Sequence, residues 1–87
     1  MLVEIFGRPG CSFCVRAQIL AERIQSQRDD FQFRYIDIYQ EGISKADMEI
    51  KAGRPVETVP QIFLDQTHIG GFTEFNDYVN THELLSN

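Results

Sequence analysis

A nearly continuous apolar run, Leu2 to Phe6, ends at Gly7-Arg8-Pro9-Gly10 and is followed at once by a helical pattern. The run reads as a strand covered on both faces, and the glycines and proline as a tight loop. Phe13, Ala17, Leu20 and Ile24 then recur at spacings of four, three and four, so one stripe of a helix from about residue 12 to 28 should face a core. From Phe31 to Tyr39, Phe31, Phe33 and Tyr35 alternate with polar neighbours before Ile36 and Ile38 enter, as in a second strand. Strand, helix and strand in this order imply a right-handed parallel crossover.

The remainder is punctuated by local signals. Ser44 and Asp47 form a capping-box pattern, Ile43 and Met48 a hydrophobic staple, and Gly53 with Pro55 a stop, so a short helix is expected between them. Pro60 to Leu64 and His68 to Gly71 read as two strands joined by the hairpin-length connection Asp65-Gln66-Thr67. Thr73 is placed to cap a last helix, with Phe75, Tyr78, Val79 and His82 on its inward stripe. The resulting order, β-α-β-α-β-β-α, is an α/β arrangement of the thioredoxin-fold type. It is a four-stranded mixed sheet with three helices covering both faces.

At 87 residues, 1 to 87 read as one small domain, near the size at which a single core only just suffices. A net charge of −5 argues against nucleic-acid or anionic-membrane partners. Glu4 interrupts the N-terminal apolar run too early for a signal peptide, and no run approaches membrane-spanning length. A cytoplasmic location is therefore expected.

The chain's two cysteines stand at Cys11-Ser12-Phe13-Cys14, at the head of the first helical pattern. Thiols three apart on a first turn share a face and can join without large backbone movement. A bridge closing so short a loop stabilises little, so a structural staple is the weaker reading. Zinc would want four ligands, and only His68 and His82 could join the cysteines. Haem attachment would need histidine where Val15 stands. A redox pair is favoured, with an inert buried pair and a metal site as the alternatives. The helix N-terminus and nearby Arg8 favour a thiolate at Cys11, with a pKa lowered from ~8.5 into a range of about 3.5 to 7.5. Cys11 would attack, and the more shielded Cys14 would resolve.

Two further segments bear on binding. Thr58-Val59-Pro60 opens a strand with a residue that lacks a ladder donor and whose X-Pro bond can be cis, so neighbouring backbone groups could pair with an extended peptide. Gly70-Gly71-Phe72-Thr73-Glu74 combines glycines that permit close backbone approach with a helix N-terminus suited to a carboxylate. Glu74 could accept from an ammonium, so a γ-glutamyl peptide would match this end. An ordinary strand turn and an ordinary cap are the bland alternatives.

With these three motifs in order, the chain resembles the glutaredoxins essentially end to end, most closely the small bacterial dithiol type. Phe6-Gly7-Arg8, Val15-Arg16-Ala17, Arg28-Asp29-Asp30-Phe31, Lys51-Ala52-Gly53 and Pro55 to Phe63 carry the likeness further. The resemblance implies a glutathione-dependent thiol-disulfide oxidoreductase, with no tightly bound cofactor and glutathione as co-substrate. Cys11 and Cys14 would be the redox disulfide. Val59 and cis-Pro60 would pair with the cysteinyl part of glutathione. Thr73 and Glu74, with Gly71, would hold its γ-glutamyl end, while Phe13, Thr58 and Phe72 flank it. Arg8 would meet the glycine carboxylate, with Lys51 and Arg54 as further candidates.

Implied partners are protein disulfides, including that of ribonucleotide reductase, and glutathione reductase acting indirectly through oxidised glutathione. The implied state is a monomer. Ser12 stands where proline is usual, Phe13 and Phe72 where tyrosines are frequent, and Glu74 where aspartate is common. Relatives without that proline can hold a [2Fe-2S] cluster between two subunits, which makes cluster binding an alternative activity. A thioredoxin-like reductase served directly by a flavoprotein is the enzymatic rival.

Overall fold

The computed structural model describes residues 1–86. Its elements are β1 (Leu2–Gly7), α1 (Ser12–Gln27), β2 (Gln32–Asp37), α2 (Lys45–Ala52), β3 (Gln61–Leu64), β4 (Thr67–Gly70) and α3 (Phe72–Thr81). The sheet order is β2-β1-β3-β4, with β1 parallel to β2, and β3 antiparallel to both β1 and β4. This is the four-stranded mixed sheet and three-helix order read from the sequence, the thioredoxin fold.

The central strand β1 supplies both faces of the sheet, which explains its nearly continuous apolar character. Val3 and Ile5 join Ala17, Leu20, Ala21, Ile24, Phe31, Ile62, Phe75 and Val79 in the core beneath α1 and α3. Phe6 joins Ile38, Met48, Val56 and Phe63 on the α2 side, where the Phe6 and Phe63 rings meet edge to face at 5.5 Å. Full burial of each such ring contributes about 1.5–3 kcal/mol.

The termini of α2 follow their sequence signals. Ser44 Oγ accepts from the Asp47 amide at 3.0 Å and Asp47 Oδ2 accepts from the Ser44 amide at 3.0 Å. These bonds hold the Asp47 carboxyl below its ordinary range. Gly53 ends the helix in the left-handed region at φ 72°.

Several expected boundaries and faces move. Phe13 is 50% exposed rather than part of the core. The buried stripe of α1 is Cys14, Ala17, Leu20, Ala21 and Ile24, so Cys14 occupies the inward place and Phe13, one residue earlier, is rotated off it. β2 stops at Asp37, whose Oδ1 accepts from the amides of Tyr39 at 2.9 Å and Gln40 at 3.2 Å and turns the chain. The β3–β4 loop is two residues, Asp65 and Gln66, both at positive φ, and Thr67 already belongs to β4. α3 is capped by Gly71, not Thr73. Glu74 reaches back to accept from the Gly71 amide at 2.7 Å, which places Thr73 inside the first turn. His82 lies past the end of α3, exposed and stacked on Tyr78 at 3.9 Å, and Leu84 takes the inward position.

Candidate active site

Cys11 is the N-cap of α1. Its Sγ accepts from the Cys14 amide at 3.2 Å, so the sulfur occupies the place a capping oxygen would take. The two cysteines are joined as a disulfide, with Cα atoms 5.2 Å apart. Their surroundings differ: Cys11 is partly exposed, and Cys14 is fully buried. No acidic residue stands in the first turn of α1, and the Arg16 guanidinium lies 5.3 Å from the Phe13 ring centre. The positive end of the α1 dipole, with no acidic residue in its first turn, favours negative charge on Cys11 once the disulfide opens.

Gly7, at the end of β1, makes room for the buried sulfur. A Cβ there would stand 3.0 Å from Cys14 Sγ and 2.9 Å from Tyr35 Cζ, and closer still to the Tyr35 hydroxyl. Burial, with Asp37 nearby, pushes the Tyr35 phenol above its ordinary pKa, so it stays protonated beside the cysteine pair.

On the other side, the Val59 carbonyl oxygen lies 3.6 Å from Cys11 Sγ, and the Val59–Pro60 peptide is cis. Phe13, Thr58, Val59, Gly71, Phe72, Thr73 and Glu74 line one groove of about 280 Å³ next to this disulfide. The Phe13 and Phe72 rings face each other at 6.2 Å and form its apolar wall. At the far end, Gly70 and Gly71 admit the Glu74 side chain. A Cβ on Gly70, already at φ 131°, would stand 2.8 Å from Glu74 Oε1.

The remaining candidates lie outside this groove. Pro60 is buried behind it. Arg8 lines a neighbouring hollow of about 340 Å³ together with Tyr39, Met48 and Val56, and this hollow shares Thr58 and Val59 with the groove. Lys51 is committed elsewhere, 3.6 Å from Glu4 Oε1 and 4.9 Å from the Phe63 ring centre. Arg54 Nε donates to His68 Nδ1 at 2.9 Å. A larger hollow of about 630 Å³ between α1 and α3, lined by Leu20, Asn76 and Glu83 among others, contains neither cysteine. Among the described residues no three metal-ligating side chains converge, so an iron–sulfur cluster would need ligands from outside this chain. Nor is any helix long and apolar enough to cross a membrane.

Sequence reasoning passed over Tyr35, Gln61 and the binding side of His68. Spacing marks Tyr35 as an alternating strand residue and His68 as the start of a strand and a possible zinc ligand. Their neighbours come from strand pairing and the α2–β3 connection, which local spacing does not reveal.

A half-exposed sulfur capping the helix that buries its partner, beside a cis-proline strand on this fold, defines a thiol-disulfide oxidoreductase. The glutaredoxin family model matches residues 3–69. Glutaredoxin 1 of Salmonella typhimurium is 65% identical over 75 residues, covering 86% of each chain. Glutaredoxin 1 of Escherichia coli is 61% identical over 79 residues, covering 91% of this chain and 93% of its own. The solution structure of reduced E. coli glutaredoxin superposes with a TM-score of 0.88 at 58% identity, covering 95% of this chain and 98% of that one. The chain belongs to the glutaredoxin family.

Proposed function

We propose that this enzyme draws its electrons from glutathione, reducing protein disulfides and glutathione mixed disulfides through the Cys11/Cys14 couple. The observation that carries the reading is the groove beside Cys11. It has backbone at Thr58–Val59 for an extended peptide, an apolar wall at Phe13 and Phe72, and a helix N-terminus with an acidic side chain at its far end. Glutathione presents matching groups in that order: a cysteinyl backbone, then a γ-glutamyl end carrying both a carboxylate and an ammonium. The α3 N-terminus suits the carboxylate and Glu74 the ammonium. Arg8, on the opposite side of Val59, suits the glycine carboxylate.

In the proposed cycle the Cys11 thiolate attacks a substrate disulfide, forming a mixed disulfide and releasing one substrate thiolate. With a protein disulfide, the Cys14 thiolate then attacks Cys11 Sγ, expels the second substrate thiolate and closes the Cys11–Cys14 bond. A glutathione thiolate reopens it at the accessible Cys11 sulfur, and a second glutathione releases oxidised glutathione. Glutathione reductase and NADPH return that product to the thiol. Reduction potentials of this family, about −200 to −230 mV, lie close to the glutathione poise, so both directions are open. The disulfide of ribonucleotide reductase is the proposed protein substrate, the cytoplasm the proposed compartment and the monomer the proposed working state.

An NADPH-coupled assay with a glutathionylated peptide tests this. Turnover with glutathione and glutathione reductase, and little with thioredoxin reductase alone, is expected; the reverse would make the enzyme thioredoxin-like. Anaerobic reconstitution with iron, sulfide and glutathione should leave the protein colourless and monomeric, and a coloured dimer would support the cluster-binding alternative.

A further inference from the structure

The segment between α2 and β3 carries Thr58 and Val59 to the groove without regular secondary structure, so something else must hold it. Two part-buried hydrogen bonds do so. Glu49 Oε2 accepts from the Val56 amide at 3.0 Å, and Gln61 Nε2 donates to the Thr58 carbonyl at 2.7 Å. Gln61 is a polar side chain buried to 6% exposure, and its other end is occupied too. Its Oε1 lies 2.6 Å from His68 Nε2, and His68 Nδ1 accepts from Arg54 Nε at 2.9 Å.

The polarity of this chain of bonds is fixed from both ends. A guanidinium only donates and a carbonyl only accepts, so His68 must accept at Nδ1 and carry its proton on Nε2. Gln61 must then accept through Oε1 and donate through Nε2. Neither the imidazole nor the amide can flip without losing a bond at both of its ends, and an unpaired buried amide is costly.

The geometry points to Gln61 and His68 as positioning residues that hold the Thr58 carbonyl, and with it the Val59 backbone, at the orientation in which an extended thiol peptide pairs beside Cys11. This rests on the glutathione reading of the groove. Neither residue touches that groove. Gln61 reaches it through the Thr58 carbonyl, so replacing Gln61 should change binding while the sulfur chemistry does not.

The relay has an acid-sensitive end. A second proton on His68 would go to Nδ1, which faces the Arg54 N–H, and two donors would then oppose each other. The surrounding charges are Arg54 from the α2–β3 segment, Lys51 of α2 above the Phe63 ring, and Glu74 of α3. Phe63 of β3 covers the imidazole, with ring centres 5.0 Å apart.

The test compares wild type, Gln61→Met and Gln61→Glu on a glutathionylated peptide. Glutamate can still accept from His68 but has no donor for Thr58. Both variants should raise KM about fivefold, the worth of one buried hydrogen bond, with kcat within about twofold and the Cys11 thiolate pKa unmoved. Unchanged KM in folded Gln61→Met, or a loss confined to kcat, overturns the relay. Nitrogen NMR of the wild-type protein decides the same point without a variant: His68 should be protonated at Nε2 and bare at Nδ1, and the opposite tautomer overturns it. A wild type inactive on the peptide sinks the glutathione reading itself, whereas an active wild type matched by Gln61→Met sinks the relay alone.

Discussion

The amide of Cys14 donates to the sulfur of Cys11 at 3.2 Å, so the partly exposed cysteine caps the helix in which its partner is buried. One hydrogen bond therefore links the two roles. Charge on Cys11 is met by an N–H already aimed at it, while Cys14 is fully enclosed.

Unequal titration follows. In the reduced Cys14→Ser protein, Cys11 should titrate below an ordinary thiol because the helix N-terminus stabilises its thiolate, and in Cys11→Ser, enclosed Cys14 should titrate above it. Alkylation rates measured against pH report both values. Equal values for the two thiols would remove the capping account.

Gly7 should tolerate no side chain. Its added methyl would press on Cys14 Sγ and the Tyr35 ring, so Gly7→Ala should cost about 1–3 kcal/mol in urea unfolding. The hydroxyl of Tyr35 is the nearest obstacle, and Gly7→Ala with Tyr35→Phe should recover part of that loss. If Gly7→Ala is as stable as the parent, the close packing over Cys14 is not a constraint.

Glu74 has two separable duties. Glu74→Gln keeps an oxygen for the Gly71 amide but removes the charge, so Tm should hold while KM for a glutathionylated peptide rises about fivefold. Glu74→Leu loses both and should lower Tm as well. A Gln variant with parental KM would assign the carboxylate to capping alone.

His68 should leave a mark on acid stability. Burial, reinforced by Arg54, lowers its folded pKa below the ordinary 6.5, so between those two values the unfolded chain binds more protons than the folded one. That contribution is intact above about pH 6.5 and is lost as pH falls through the folded pKa. Urea unfolding from pH 7.5 to 5 should show the decline in wild type and a flatter profile in His68→Gln; parallel profiles would contradict it.

Much of this was legible in the chain itself because the deciding forces are local. The run Leu2 to Phe6, the stripe through Ala17, Leu20 and Ile24, and the Ser44/Asp47 box each report their element through spacing or capping chemistry. Phe13 misled because its spacing to Ala17 fits a helix face as well as Cys14's does. Only packing against Gly7 and Tyr35 decides that the sulfur goes inward. Thr73 misled because a good capping side chain lies two residues beyond the glycine that the β4 exit selects. The Gln61–His68 link was invisible for another reason. It depends on antiparallel pairing of β3 and β4 through an irregularity at Ile62/Phe63, a long-range register that no window of sequence displays.

The most direct measurement is the glutathione-coupled assay run on two substrates, a glutathionylated peptide and a protein disulfide, with both single-cysteine variants. Cys14→Ser should keep turnover of the glutathionylated peptide and lose most reduction of the protein disulfide, and Cys11→Ser should lose both. Equal loss of both activities in Cys14→Ser, or activity surviving in Cys11→Ser, would contradict the division of labour between the capping and the buried cysteine.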